Sequence, residues 1–293
     1  MITVIGSMNM DLVVKSEAPP LRGETILGES FDTHPGGKGA NQAIAVAKLG
    51  GEVQIAGKVG SDTFGKEMIA NLHDHGVDTQ YVQKVPDTTS GVALITVAEN
   101  DNSIIVVPGA NYLFEPGEAS ALRTLIQSSQ MLIVQLETPL PFVEMLVSIA
   151  FHEGTPVVVN PAPAQTLNIS FIQQATYVTP NETECAILFE EPIEEAIARY
   201  PNKLIVTQGV KGALYHDGAN PVRIEGFPVQ AIDTTGAGDT FNGALGLGLA
   251  EGRSLTEAVR FANAAASLSV EHFGAQSGMP KRERVERRLR TGE

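Results

Sequence analysis

Short runs of Val, Ile and Leu, bounded by turn residues, alternate along the chain with longer amphipathic stretches. The runs are Ile2–Ile5, Val53–Ala56, Met131–Leu136, Pro156–Val159 and Leu204–Thr207. Near-continuous apolar strands separated by amphipathic helices are typical of a parallel sheet that helices cover on both faces. The pattern therefore predicts an α/β fold.

Two regions interrupt this rhythm, residues 13–34 and residues 89–108. The second region, which contains SGVALITVAENDNSIIVVPG, predicts a hairpin with strands Val92–Val97 and Ser103–Val107. Its turn is expected at residues 99–102, where the polar pair Asp-Asn suits turn geometry. We favour a small separate sheet that serves as a lid or an interface; an edge hairpin of the main sheet is the alternative.

The chain has 293 residues with 20 Lys and Arg against 34 Asp and Glu, a net charge of −14. This balance argues against nucleic acid or an anionic membrane surface as a partner, because both select for basic patches. The 29 glycines and 43% hydrophobic residues indicate a packed chain with many tight turns. There is no apolar run of about 18 residues and no signal-peptide pattern, so we expect a cytoplasmic protein of one large domain, at most with a small appendage.

Two smaller features carry less information about function. Cys185 is the single cysteine and lies in an acidic stretch, which raises a thiol pKa, so we expect a buried, inert thiol.

Near the C-terminus, six basic residues within Lys281–Arg290 are interleaved with Glu283 and Glu286. This pattern predicts a solvated terminal helix and not an arm for nucleic acid.

A glycine-rich loop at Gly236, Ala237 and Gly238 precedes Asp239 and the apolar run Ala244–Ala250. Such a loop lets the backbone approach a ligand and then opens a helix, whose free N–H groups bind anions. Asp239 in the first turn would be placed to accept a proton from an attacking hydroxyl during phosphoryl transfer. Alternatively, Asp239 is an N-cap and the glycines only make a turn.

A second glycine cluster, PGGKGAN, precedes the helical pattern Gln42–Leu49. It carries Lys38 and Asn41, whose cation and amide suit the recognition of hydroxyl or phosphate groups. A near match to a phosphate-binding P-loop begins at Gly60, but Glu67 stands where a Ser or Thr should hold magnesium. We reject this segment as a nucleotide loop and expect Asp62 to cap the following helix.

Polar side chains also follow two predicted strands. Asn9 and Asp11 alternate with apolar residues after the first strand and could both grip a polyol, although ordinary loop polarity explains them equally well. Glu137 follows the run Met131–Leu136, and ligand sites of open parallel sheets lie at the carboxyl ends of strands.

Asn181 and Glu184, three residues apart, would share a helix face and could organise Mg²⁺ and its waters. Helix capping is an equally good explanation of this pair. The histidines have no spacing that supports a zinc site.

Twelve segments carry a family resemblance through nearly the whole chain, in the order GSMNMDLVV, RGET, PGGKGANQA, VGSDTFG, SGVALI, PGAN, QLETP, NPAPA, TPNETE, VTQG, DTTGAGDTFNGA and GAQ. Together they resemble the ribokinase family of sugar kinases, also called the PfkB family. Such breadth is far more specific than a single glycine loop.

The resemblance implies a fold and an activity. The fold is a three-layer α/β/α sandwich with a mostly parallel central sheet, one domain over residues 1–293, and a β-sheet lid from residues 13–34 and 89–108. The activity is Mg²⁺-dependent transfer of the ATP γ-phosphate to the 5-hydroxyl of D-ribose, with K⁺ or another monovalent cation as activator, by a homodimer formed through the lid. The alternatives are a kinase for fructose, 2-keto-3-deoxygluconate, deoxyribose or adenosine, and a non-catalytic sugar-binding regulator.

The resemblance also implies roles for single residues. Asp239 resembles the general base, with an anion hole made by Gly236, Ala237 and Gly238. The implied sugar contacts are Asn9, Asp11, Gly37, Lys38, Asn41, Glu137 and Asp239. The implied ATP contacts are Asn181, Thr207, Gly209, Val210, Lys211, Gly212, Gly238 and Asn263.

Two metal sites follow from the same resemblance. Glu184 corresponds to the family's Mg²⁺ organiser, acting through water. The monovalent cation would be held by Asp233, Thr235, Ser269, His272 and Gly274, mostly through backbone carbonyls. Family members typically have a serine where this chain has Gly278, which puts the potassium dependence in doubt, although the neighbouring Ser277 could substitute.

Overall fold

The computed structural model describes residues 1–99 and 101–292, in which strands and helices alternate through most of the chain. The strands are β1 (Ile2–Ile5), β2 (Asn9–Lys15), β3 (Ser30–Gly36), β4 (Val53–Gly60), β5 (Asp78–Val85), β6 (Gly91–Ala98), β7 (Asp101–Val107), β8 (Met131–Gln135), β9 (Val157–Asn160), β10 (Tyr177–Val178), β11 (Val206–Thr207), β12 (Ala213–His216) and β13 (Pro221–Ile224).

The α-helices are α1 (Lys38–Lys48), α2 (Thr63–Asp74), α3 (Arg123–Gln127), α4 (Leu140–Glu153), α5 (Ile169–Gln174), α6 (Glu182–Phe189), α7 (Ile193–Arg199), α8 (Ala237–Ala250), α9 (Leu255–Ser269), α10 (Ala275–Gly278) and α11 (Arg282–Thr291). Short 3₁₀ helices span Gly109–Tyr112, Pro116–Leu122 and Gly209–Lys211. None of the helices in the described part of the chain is long and apolar enough to cross a membrane.

The central sheet has six parallel strands in the order β10-β9-β8-β1-β4-β5. Successive side chains of its strands point to opposite faces, so Val4 packs with α1, α2, α8 and α9, whereas Ile5 packs with α3 to α7. Strands β1, β4, β8 and β9 are buried at every position, which explains their near-continuous apolar sequences. The predicted three-layer α/β/α arrangement is confirmed.

One predicted strand of the central sheet is wrong in part. Of Leu204–Thr207, only Val206 and Thr207 form a strand, and β11 pairs antiparallel with β12 in a separate three-stranded sheet with β13. Leu204 reaches the central sheet through a single parallel bridge to Val178. A short apolar run predicts a strand but does not reveal which sheet that strand joins. Here the strand has only two residues, and they pair with the hairpin β12–β13.

The small sheet comprises β3, β2, β6 and β7 in that order. Strands β2 and β6 are parallel, and the two outer pairings are antiparallel. The prediction of a small separate sheet is confirmed, and the alternative of an edge hairpin on the main sheet is wrong. Strand β7 begins at Asp101, two residues earlier than expected, and Asn100 of the predicted turn at 99–102 lies outside the described residues.

Local predictions at several other places are confirmed. Asp62 caps α2 by accepting a hydrogen bond from Gly65 N at 2.8 Å. Cys185 is fully buried, and burial together with Glu191 and Glu194 raises the pKa of its thiol to about 11. The terminal segment forms α11, but it is only partly solvated, because Val285 and Arg288 are buried.

Candidate functional site

Asp239 lies in the first turn of α8, where the N-termini of α1 and α8 meet at the carboxyl ends of the central strands. Its carboxylate is buried, and each oxygen accepts one amide hydrogen bond. Oδ2 accepts from Asn41 Nδ2 at 2.9 Å, and Oδ1 accepts from Gln42 Nε2 at 3.0 Å. The carboxylate is therefore held in one orientation by two residues of α1.

Glycines allow α1 to approach the strands this closely. Gly37, the N-cap of α1, has φ of 89°, and a Cβ there would lie 2.6 Å from the backbone N of Asn9. A Cβ on Gly39 would lie 2.6 Å from the carbonyl carbon of Gly6. The PGGKGAN loop thus brings Lys38 and Asn41 against the end of β1.

The interpretation of Asp239 as an N-cap is wrong. Gly236 is the N-cap of α8, with φ of 77°, and a Cβ there would lie 2.7 Å from Ala275 Cβ. Asp239 is the third residue of the helix and accepts hydrogen bonds from another helix. Its position therefore leaves the helix N-terminus open to an anion.

The three predicted anion-hole residues surround this N-terminus but are not equivalent. The N–H of Ala237 donates to Thr234 O at 3.2 Å, which closes the turn. A Cβ added to Gly238 would meet no atom within 4 Å, so its backbone faces open space. Gly238 N–H, the second of the helix, has no intrahelical acceptor and is suited to contact a phosphoryl oxygen.

Glu137 gathers three donors from the other side of the site. Its Oε2 accepts from Ser7 Oγ at 2.5 Å, from the Lys38 backbone N at 3.2 Å and from Asn9 Nδ2 at 3.5 Å. Ser7 had no predicted role. The structure therefore brings the predicted sugar contacts Asn9, Lys38 and Glu137 together.

Asp11 lies on β2 beside these residues. Burial, and next the charges of Glu137 and Asp239, raise the pKa of Asp11 to about 7. A Cβ on Gly36 would lie 2.5 Å from Asp11 Oδ2, so the neighbouring strand passes close to the carboxylate. Three carboxylates, Asp11, Glu137 and Asp239, thus converge on one space.

Lys38 compensates part of this negative charge. Burial lowers the pKa of Lys38, but Asp239, Glu137 and Glu184 outweigh it, and the pKa is raised above its ordinary value. Its ammonium group is therefore charged and interacts electrostatically with the carboxylates of Asp239, Glu137 and Glu184. A cation in this position can neutralise phosphate oxygens that enter the site.

Asn181 and Glu184 form the capping box of α6. Asn181 Oδ1 accepts from Glu184 N, and Glu184 Oε2 accepts from Asn181 N, both at 2.8 Å. The capping explanation is therefore confirmed for this pair, but it does not exclude a second role. Burial raises the pKa of Glu184, and the charge of Asp239 also raises it, whereas the Asn181 hydrogen bond and the charge of Lys38 lower it.

A cavity of about 220 Å³ opens beside the N-terminus of α8. It includes six of the predicted nucleotide contacts: Thr207, Gly209, Val210, Gly212, Gly238 and Asn263. The other two, Asn181 and Lys211, do not line it. Asn263 Nδ2 donates to the carbonyls of Ile224 and Glu225, at 2.9 and 3.2 Å, and so holds the cavity wall.

The remaining walls of the cavity are mostly apolar and were not predicted. They include Phe227, Val229, Ala231, Phe241, Ala266 and Val270. An apolar slot with few polar groups suits a planar ring such as a nucleotide base. The cavity meets the space around Asp239 at Gly238, which belongs to both.

The predicted cation-binding segments lie side by side. Asp233 Oδ1 accepts from Thr235 N and Oγ1, at 2.9 and 2.6 Å, and Oδ2 accepts from Gly274 N at 2.8 Å. Burial raises the pKa of Asp233, but these hydrogen bonds outweigh it and keep the pKa below its usual value. Asp233 N also donates to Val270 O at 3.2 Å. The structure therefore brings Asp233, Thr235 and Gly274 together.

Ser269, His272 and Gly278 complete this region. A Cβ on Gly278 would lie 2.4 Å from Ser269 O and 3.4 Å from His272 O, so these carbonyls turn toward position 278. Ser277 Oγ donates to the carbonyls of Phe273 and Gly274. Among the described residues, no group of three or more His, Cys, Asp or Glu side chains is placed to hold a metal ion, so a cation here would depend on backbone carbonyls.

Several buried amides of the site were not predicted: Gln42, Asn111, Gln135, Asn160 and Gln276. Asn111 binds Met8 N, Met8 O and Asn9 Oδ1, which turns the Asn9 amide nitrogen toward Glu137. Each of these residues stands inside a segment that carries the family resemblance, such as PGAN or QLETP. Their position in those segments was the available signal.

Comparisons with known proteins agree with this geometry. Residues 1–282 match the model of the pfkB family carbohydrate kinases. The chain is 50% identical to a ribokinase of Bacillus subtilis over 289 residues, covering 98% of this chain and 99% of that protein. It is 38% identical over 304 residues to a deoxyribokinase of Salmonella typhi, covering 100% and 99% of the two chains. A structure of Arabidopsis thaliana ribokinase complexed with ribose and ATP superimposes with a TM-score of 0.90 at 32% identity, covering 98% of each chain.

Proposed function

Because the chain belongs to the pfkB family of carbohydrate kinases, we propose that it transfers the γ-phosphoryl group of ATP to the 5-hydroxyl of D-ribose. One observation carries this proposal. Asp239 stands between the polar groups around Glu137 and the apolar cavity, and Gly238 next to it lines that cavity. This arrangement supports a base at Asp239, between a hydroxyl-binding site and a nucleotide-sized slot.

The residues divide the chemistry between them. Asp239 accepts the proton of the attacking hydroxyl, and the N–H groups of the glycine loop stabilise the charge on the transferring phosphoryl oxygens. Lys38, whose pKa is raised by its neighbouring carboxylates, is the cation that we propose for the same oxygens. Asn9, Asp11, Gly37, Lys38, Asn41 and Glu137 are the groups that we propose for binding the sugar hydroxyls.

Mg²⁺ fits the site only as part of a complex with ATP. Glu184 is the one carboxylate that we propose for it, and magnesium in nucleotide sites is commonly held by one or two carboxylates with phosphates and waters. The ion would spread charge between the ATP phosphates. Neighbouring carbonyls of residues 233–235 and 269–274 are the proposed site of a monovalent cation.

A sugar panel tests the function. Purified protein is mixed with ATP and Mg²⁺, and ADP formation is measured with ribose, deoxyribose, fructose, 2-keto-3-deoxygluconate and adenosine. We expect the highest kcat/KM with ribose. Equal or higher kcat/KM with another compound would replace ribose as the substrate, and no turnover with any of them would favour a non-catalytic sugar-binding protein.

Deoxyribose is the second candidate, because the similarity to a deoxyribokinase covers the whole chain. The two sugars differ at one hydroxyl. A site that hydrogen-bonds this hydroxyl loses several kcal/mol when it is missing, because its buried polar groups are left unpaired. The ratio of kcat/KM for the two sugars therefore decides between the candidates.

The monovalent cation has its own test. We expect the rate in K⁺ buffer to exceed the rate in Na⁺-only buffer at constant ionic strength. Equal rates would contradict a selective cation site. The variant Gly278→Ser serves for comparison: its side chain meets Ser269 O, so we expect it to change cation dependence more than sugar KM.

We further propose that the small sheet acts as a lid and joins two copies of the chain. Val14, Phe31, Leu94 and Ile105 are exposed on it, with 62% of Phe31 and 64% of Ile105 accessible. A contiguous apolar surface of this kind marks an interaction site.

The cytoplasm, where ATP and sugars meet, is the proposed location.

The assembly is tested by sedimentation equilibrium. We expect a dimer for the native chain and a monomer for Ile105→Glu, which places a charge in the apolar face. The control is Phe151→Glu on α4, an exposed apolar position outside the small sheet, which should remain dimeric. A monomeric native chain would overturn the proposal.

A further inference from the structure

A line of buried amides converges on Asp239 from two directions. On one side, Gln135 Nε2 donates to Gln42 Oε1 at 2.6 Å, and Gln42 Nε2 donates to Asp239 Oδ1. On the other side, Gln276 Nε2 donates to Asn41 Oδ1 at 3.0 Å, and Asn41 Nδ2 donates to Asp239 Oδ2. Every amide in the line turns its nitrogen toward the carboxylate.

The carboxylate dictates this polarity. An ionised carboxylate only accepts hydrogen bonds, so Gln42 must present its NH₂ group to Asp239. Its carbonyl then faces Gln135, which must donate in turn. The second hydrogen of Gln42 Nε2 goes to Asn160 Oδ1 at 3.1 Å, so the amide has no spare donor. Reversing Gln135 would set its Oε1 against Gln42 Oε1, and reversing Gln42 would set its Oε1 against the carboxylate of Asp239.

One buried group is left unsatisfied by this arrangement. Gln135 Oε1 has no hydrogen-bond partner among the described residues and faces Gly6, where a Cβ would lie 1.9 Å from it. Native structures rarely leave a buried carbonyl unpaired, and each instance requires a reason. The reason here is that Gln135 must turn its nitrogen to Gln42.

We propose that Gln42, oriented by Gln135, is a positioning residue for the base. Gln42 is 0% exposed and donates directly to Asp239, so it acts on Asp239 and not on the sugar. Together with Asn41 it fixes the plane of the carboxylate, which keeps an oxygen directed at the attacking hydroxyl. The inference rests on the proposed function, because it assigns Asp239 as the base.

The test is a double-mutant cycle between Gln42 and Asp239. In the native background, Gln42→Met removes the donor at nearly constant volume, and we expect kcat to fall about 10- to 100-fold with sugar KM within about threefold, since small misplacements of a catalytic group cost this much. In the Asp239→Asn background, the same change should alter the residual kcat less than about twofold, because the two residues act as a unit.

A structural role would give a different result. If Gln42 only supports folding, Gln42→Met lowers the rate by the same factor in both backgrounds, and this outcome overturns the proposal. If native protein turns over none of the sugars, the proposed function fails and the positioning role fails with it. Native turnover with additive losses in the cycle is a failure of the positioning role alone.

Gln135→Met keeps the proposal testable if Gln42→Met does not fold. It removes the donor to Gln42 and also the unpaired Oε1, so we expect little change in melting temperature but a kcat loss of about 3- to 10-fold. Unchanged kcat would contradict the role of Gln135. The matched control is Gln54→Met on β4, whose buried amide donates to Thr3 Oγ1 at the amino end of the sheet. It should leave kcat unchanged.

Discussion

The central sheet and the small sheet are built from similar residues but lie in different surroundings. Strands β1 and β8 of the central sheet are buried at every position, between two layers of helices. Strand β7 of the small sheet has the apolar run Ile104–Val107, yet all seven of its residues are exposed. Apolar β-branched runs thus favour strands in both places without deciding what covers them.

The difference explains how the two sheets share the site. The central sheet and its helices hold Asp239 and Gln42 in a buried network and Glu137 in a partly buried one, where polar groups are kept in one geometry. The small sheet contributes Asn9 and Asp11 from the end of β2 that is nearest the central sheet. The helix-covered central sheet therefore carries the proposed chemistry, and the small sheet carries two of the proposed sugar contacts and an open apolar surface.

The largest effect is expected at Asp239, in the helix-covered region of the central sheet. Asp239→Asn keeps the shape of the side chain but removes the base, so we expect kcat to fall about 10²- to 10⁴-fold while ribose still binds. Steady-state kinetics of ADP formation provide the measurement. Asp74→Asn, at an exposed position on α2, is the control. An unchanged kcat in Asp239→Asn would refute the assignment of the base.

The second effect is expected where the two regions join. Asn111 is buried and bonds both backbone polar groups of Met8 and the side chain of Asn9. Asn111→Leu leaves these groups unpaired, so we expect a loss of about 2 kcal/mol in the free energy of unfolding. Urea denaturation measures this loss, with the exposed Asn168→Leu as the control. A change below about 0.5 kcal/mol would show that the junction does not depend on Asn111.

A third effect concerns Asp11, the sugar contact that we propose on the small sheet. The pKa of Asp11 is raised to about 7, so its carboxyl is protonated below this value and ionised above it. The ionised form accepts stronger, charge-assisted hydrogen bonds from sugar hydroxyls, so ribose affinity should increase as the pH rises. We expect the ribose Kd to fall about 10-fold between pH 6 and pH 8 by calorimetry without ATP. Asp11→Asn should abolish this dependence; a dependence that persists would assign it to another group.

The smallest effect is expected at the far end of the small sheet. Lys15 and Glu29 form an ion pair at 2.9 Å, but both side chains are at least half exposed. Exposed pairs of this kind contribute little, so Lys15→Ala should change the free energy of unfolding by less than about 0.5 kcal/mol and leave kcat unchanged. A large loss would mean that this end of the sheet is covered in the assembled protein.

Much of the site could be predicted because its residues stand in short glycine-rich segments. Gly37 and Gly236 have positive φ, which glycine adopts without a steric penalty, and both precede helices that open toward the ligand. The motif positions Asn9, Lys38, Glu137 and Asp239 are indeed brought together. Lys211 and Asn181 were expected at the nucleotide cavity but do not line it.

Four strands of the central sheet, β1, β4, β8 and β9, could be predicted from the sequence, as could the glycine loops and the residue types suited to phosphoryl transfer. Hydrophobic period and glycine conformation are local properties, so they can be read from neighbouring residues. The hydrogen bond from Gln42 to Asp239, which are 197 positions apart, and the one from Gln135 to Gln42 became visible only in the folded chain. Contacts over such separations depend on strand order and helix packing, which local sequence does not encode.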